Sequence, residues 1–148
     1  MLIAVICCMT FLLFCSCDKK KNVQAFYDKV VESQQCLDIV ADDIYSNWYD
    51  AIYEDEYDGD INTAIYYAQL YNSENLAIIE ANESEIQALY KKVRDSDFSA
   101  EVKAVMSAYS DYYEFVVNVS GSFNSYSASK ETLKKELASA LKDLALEI

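Results

Sequence analysis

The stretch Asn22–Tyr53 reads NVQAFYDKVVESQQCLDIVADDIYSNWYDAIY. Its apolar side chains fall at Val23, Phe26, Val30, Leu37, Val40, Ile44, Trp48 and Ala51, with Ser33 on the same line. Steps of three and four residues collect these positions into one stripe of a helix, because a helix turns once per 3.6 residues. A half-buried strand would alternate instead. The stripe lasts about four heptads, long enough for a coiled-coil-like seam. It ends at the acidic run EDEYDGD, Glu54–Asp60, where Gly59 is the expected turn residue.

The period recurs downstream. A second seam runs Ile61, Ile65, Ala68, Asn72, Asn75, Ile79, Asn82, Ile86, Leu89, Val93. Its three asparagines admit two readings. Buried polar residues on a seam fix register at some cost in stability. Alternatively the seam shifts locally to Leu76 and Ile78 and leaves the asparagines at its margin, which is the simpler expectation. Arg94–Asp97 marks a second turn, with Ser96 or Asp97 as the cap of the next helix. The third seam runs Val102, Val105, Tyr109, Tyr112, Val116, Val119, Phe123, Tyr126 and stays in phase through Lys130, Leu133, Leu137, Ala140 and Leu144. The serine-rich segment Asn118–Ser129, with Gly121, weakens helix propensity without breaking that phase. The expectation is one long third helix, kinked or briefly broken near 118–122. A separate fourth helix from about Ser129 is the alternative.

Composition agrees with helices. The 148 residues include no proline and only two glycines, too little punctuation for a turn-rich β fold. Hydrophobic residues make up 53%, and 13 tyrosines add apolar area, so the chain can bury a core. The fold class expected is all-α: an elongated antiparallel three-helix bundle with coiled-coil-like packing. The net charge of −13 disfavours phosphate backbones, and nucleic acid is set aside as a partner. No histidine is present, which removes the commonest general base and transition-metal ligand. Cys36 is the only cysteine beyond residue 17, so no disulfide framework is available to the body. No enzyme activity and no cofactor are expected.

The N-terminus has a different character. Leu2–Phe14 is uncharged and suits the apolar region of a signal peptide better than a full membrane span. It ends Phe14-Cys15-Ser16-Cys17, followed closely by Lys19, Lys20 and Lys21. This resembles the lipobox of bacterial lipoproteins, with Phe14 at −3, Ser16 at −1 and Cys17 at the acylated position. The resemblance implies residues 1–16 as a signal peptide, 17–22 as a tether and 23–148 as the helical domain. It also implies a lipid-anchored protein on the extracytoplasmic face of the cell membrane. Palmitate-type acyl chains on Cys17 would supply the anchor, with the lysines near anionic headgroups. The alternative is an uncleaved N-terminal anchor holding an intracellular adaptor or an immunity- or exclusion-type protein.

Two candidate sites lie at the first turn. Tyr45, Tyr49 and Tyr53 share a helix face beside Trp48, and antiparallel pairing brings Tyr66, Tyr67 and Tyr71 to the same end, with Phe123 and Tyr126. An aromatic patch rimmed by carboxylates is a candidate protein-binding tip, since Tyr and Trp give large rigid contact area. The plainer reading is that the rings complete the core. Glu54, Glu56, Asp58 and Asp60 fall at alternate positions around Gly59, as in a calcium loop. The glutamate required at the twelfth position is replaced by Ile65, so this is no EF-hand, and no metal site is assigned. A weak calcium-responsive turn is the lesser possibility, against a solvated charge run.

Overall fold

The computed structural model describes the backbone of residues 2–148 and the side chains of residues 19–148. Five α-helices follow in order: α1 (Leu2–Tyr53), α2 (Ile61–Tyr71), α3 (Ser73–Val93), α4 (Ser99–Val117) and α5 (Phe123–Glu147). A short 3-10 turn, Glu56–Gly59, lies between α1 and α2. No strand occurs among the described residues.

α1 is the axis of the molecule, and every other helix touches it. All nine positions of its expected stripe, Val23 to Ala51, are buried. Burying each large apolar side chain contributes roughly 1.5–3 kcal/mol, so this one stripe accounts for much of the folding drive. α2 and α3 return antiparallel along one side of α1. Phe26 meets Tyr90, with ring centroids 6.3 Å apart, and Lys29 pairs with Glu85 at 3.2 Å.

α4 and α5 form a hairpin on the other side. Tyr109 meets Ser33 at 3.1 Å, and the Tyr112 hydroxyl donates to Asp38 at 2.8 Å. From α5, Lys130 reaches Asp42 at 2.6 Å, Lys134 reaches Asp38 at 3.3 Å, and Tyr126 donates to the Ala41 carbonyl at 3.3 Å. These pairs set the register of both helices on α1. Buried hydroxyls and a buried ammonium are tolerated because each finds a partner.

The sequence predicts three helices; the chain forms five, for two local reasons. The predicted second helix divides at Asn72, which has φ −99° and ψ 20°. The Asn72 side chain bonds the Ala68 carbonyl at 3.0 Å, a competing bond of the kind that bends helices. Asn72 and Asn82 are buried and Ile78 is exposed, so the seam does not shift to Ile78. It runs through Asn72 and Asn82, with Asn75 half-buried and Leu76 packed against the core beside them.

The predicted third helix is interrupted where expected, at 118–122, but the interruption is a reversal and not a kink. Gly121 takes φ +90°, a left-handed conformation that glycine adopts at least cost. The Ser122 hydroxyl then accepts the Ser125 amide at 3.3 Å, while Ser125 Oγ accepts the Ser122 amide at 2.9 Å. This capping box starts α5 at Phe123, six residues before the predicted alternative start at Ser129. Phase is preserved across the reversal, so Val116, Tyr126, Lys130, Leu137 and Leu144 all remain buried.

The second turn also differs in detail. Neither Ser96 nor Asp97 caps α4; Phe98 takes that position and packs against the core. Ser96 Oγ instead accepts the Phe98 amide at 3.3 Å, inside the turn.

Candidate functional site

The end of the bundle at the first turn gathers most of the tyrosines in two groups. No ring pair joins one group to the other among the described residues.

The first group lies between α1 and α5. Tyr45 stacks on Phe123 at 5.1 Å, Tyr49 meets Tyr53 at a tilt at 4.6 Å, and Trp48 meets Tyr126 at 5.4 Å. Tyr126 also stacks on Phe115 at 4.6 Å. The Lys130 ammonium sits 4.5 Å from the Tyr45 ring centre, within cation–π range. Trp48 and Tyr126 are buried, whereas Tyr49 and Tyr53 are exposed. The inner rings of this half complete the core, and Tyr49 and Tyr53 stay open to water at its edge. The Trp48 indole nitrogen is buried without a hydrogen-bond partner among the described residues.

The second group lies on α2 and the turn before it. Tyr67 is its centre. Tyr57 stacks on it at 5.9 Å and 25°, Tyr71 at 5.8 Å and 24°, and Tyr66 meets it edge-on at 5.6 Å. Tyr66, Tyr67 and Tyr71 are exposed. The turn that delivers Tyr57 is strained. Asp55, Tyr57 and Asp58 take φ of 58°, 58° and 53°, and Gly59 follows at 72°. A left-handed tyrosine is uncommon, because its Cβ crowds the next carbonyl. The Tyr57 hydroxyl donates to Asn47 Oδ1, tying this conformation to α1. Burial and then the neighbouring Tyr71, Asp50 and Glu56 raise the Tyr57 phenol above the ordinary tyrosine value.

Asp60 has a structural task. Its Oδ1 accepts the amides of Asn62 at 2.9 Å and Thr63 at 3.3 Å, and Oδ2 accepts the Thr63 hydroxyl at 2.9 Å. It is the N-cap of α2, and the Thr63 bonds hold its carboxyl below the usual aspartate value. Glu54, Glu56 and Asp58 do not converge with it: no group of three potential metal ligands gathers among the described residues.

Sequence reading missed three residues of this end: Asn47, Asp43 and Leu70. Asn47 holds Tyr57, Asp43 takes the 2.6 Å bond from the seam residue Asn72 that holds α2 to α1, and Leu70 lies exposed among the tyrosines. One signal for Leu70 was present: the α2 sequence INTAIYYAQLY contains no charged residue. Elsewhere, burial and then Glu32 push the Cys36 thiol up, away from the reactive thiolate. The Cys17 side chain lies outside the described residues. Among the described residues no helix is long and apolar enough to cross a membrane. No protein-family model matches the chain, and neither a curated protein nor a solved structure shows significant similarity to it.

Proposed function

We propose that the chain is a membrane-anchored extracytoplasmic lipoprotein, acylated at Cys17, whose non-catalytic helical body holds a protein-binding tip away from the bilayer. The observation that carries this reading is the continuity of α1. From Lys19 to Tyr53 it is one unbroken helix with a fully buried stripe. At 1.5 Å per residue this is a strut of roughly 50 Å. The lysine-flanked attachment point stands at one end. The exposed tyrosines of α2 and the carboxylates of residues 54–60 stand at the other. Two or more acyl chains on one cysteine suffice for stable anchoring, and a rigid strut then sets the standoff. A binding role fits the tip better than catalysis does, because its carboxylates diverge and its tyrosines face solvent.

Metabolic labelling with an alkyne fatty acid tests the anchor. Wild type takes up label and Cys17→Ala does not; equal labelling of the two refutes the acylation. Protease added to intact cells tests the orientation, and a body spared by the protease is not extracytoplasmic.

A further inference from the structure

α2 breaks the ordinary rule for a surface helix. Such a helix buries one apolar stripe and turns charged residues to water, whereas a helix apolar all round is expected to be buried all round. α2 buries Ala64 and Ala68 against α1. Its outer side presents Tyr66, Tyr67, Leu70 and Tyr71, exposed by 60%, 36%, 47% and 74%. The three tyrosines are held as a preformed surface by their contacts with one another around Tyr67 and by Tyr57, fixed through Asn47. Preorganised aromatic area loses little entropy on binding.

The surroundings say what covers it. From Val30 to Tyr90 the chain carries 14 carboxylates and not one lysine or arginine. Several are neutralised from outside this stretch: Lys130 and Lys134 pair with Asp42 and Asp38, and Lys29 with Glu32 and Glu85. No ion pair involves Asp50, Glu54, Asp55, Glu56, Asp58 or Asp60 among the described residues. A second copy of the chain would bring these carboxylates against their own like. Nucleic acid and an anionic bilayer are repelled for the same reason. A cationic polypeptide is attracted, and arginine is the best match. Its planar guanidinium pairs bidentately with carboxylates and stacks on aromatic faces.

We propose that the outer face of α2 docks a short arginine-rich segment of a protein partner. Tyr57, Tyr66 and Tyr71 cover the guanidinium planes, Leu70 takes an apolar side chain between them, and the carboxylates of residues 54–60 take the charge. An 11-residue helix is roughly 16 Å long, which an extended segment of about five residues spans. This rests on the reading of the tip as a protein-binding surface and supplies its partner chemistry.

The test uses the full chain in a non-ionic detergent and a fluorescein-labelled nonapeptide alternating arginine with leucine, followed by anisotropy. Expected is saturable binding that weakens as salt is raised from 50 to 300 mM. Tyr66→Ser/Tyr71→Ser, both exposed positions, weakens it by about tenfold or more with an unchanged circular dichroism spectrum. Glu56→Gln/Asp58→Asn flattens its salt dependence. Replacing arginine by lysine weakens binding, and replacing it by glutamate abolishes it. Binding that the tyrosine variant leaves unchanged is charge attraction alone and overturns the proposal, as does the absence of saturable binding. Light scattering separates the remaining case. A wild-type dimer that Tyr66→Ser/Tyr71→Ser dissociates overturns the arginine-rich partner while leaving the tip an interface. Equal fatty-acid labelling of wild type and Cys17→Ala would overturn the anchor alone.

Discussion

Asn72→Ala is the sharpest probe of how the tip is held. Asn72 is buried at the junction of α2 and α3. Its Nδ2 donates to Asp43 Oδ2 at 2.6 Å and to the Ala68 carbonyl at 3.0 Å, while its Oδ1 accepts from Asn75 at 2.9 Å. The bond to Asp43 is charge-assisted, a class that contributes about 1.5–3 kcal/mol. Asp43 is exposed and regains water when the amide is removed, which puts the loss at the lower end, about 1.5 kcal/mol. Asn72 lies between the two helices, outside helical geometry, so alanine regains nothing there through helix propensity. The expected cost is about 1.5 kcal/mol, a fall of about 5 °C in Tm for a domain of this size. The loss is also local. Hydrogen exchange should quicken over residues 61–71, because Asp43–Asn72 is the tie between the end of α2 and α1. The exchange of α3 beyond Ile79 should change little. Urea titration followed by far-UV circular dichroism gives the global cost, and exchange mass spectrometry gives its location. A loss above about 3 kcal/mol, or faster exchange spread evenly over all helices, would show that Asn72 is not a local tie.

Three further expectations follow from the hairpin of α4 and α5. Lys130 buries its stem and places its ammonium between Asp42 and the Tyr45 ring, so Lys130→Met should change stability by less than about 1 kcal/mol, whereas Lys130→Ala should cost about 2 kcal/mol or more through lost methylene burial; equal urea midpoints for the two variants would refute this. A Cβ at Gly121 would lie 2.8 Å from Ser125 Oγ and at φ +90°, so Gly121→Ala should cost about 1–3 kcal/mol and favour exchange of α5 between molecules, seen as a dimer by light scattering; a monomer of wild-type stability contradicts it. Burial holds the phenols of Tyr109, Tyr112 and Tyr126 well above the ordinary value near 10. Hydrogen bonding to Asp38 and the charges of Asp38 and Asp42 add to the effect at Tyr112. The unfolded chain therefore releases protons above pH ~10 that the native state retains, and stability should be level through neutral pH and fall as pH rises past that point. A urea midpoint that stays flat to strongly alkaline pH would disprove the burial of these hydroxyls.

The α1 seam was legible residue by residue, because a 3.6-residue period needs only the chain's own order of apolar and polar groups. The turn at Gly59 and the interruption near Gly121 were legible for a similar reason: each needs a left-handed residue, and the chain has only two glycines. The direction of the chain after Gly121 was not. A straight helix and a hairpin preserve the same phase, and the choice falls to the capping box of Ser122 and Ser125 and to the partners Asp38 and Asp42 waiting on α1. The burial of Asn72 was one of two readings of its seam, and the choice between them was illegible because it depends on Asp43, 29 residues earlier.

The aromatic end shows the division most clearly. Sequence alone determined that tyrosines and carboxylates meet at the first turn, since antiparallel pairing about Gly59 leaves them nowhere else. The run from residue 61 to 73 is uncharged in the sequence, but that it forms a separate helix was not legible there. Only the tertiary structure decided that the rings divide into two groups, one whose inner members Trp48 and Tyr126 are covered by α5 and one lying open to water on α2. The physical reason is that periodicity fixes which face of a helix is apolar, while the number of neighbours available to cover that face is a property of the assembled bundle.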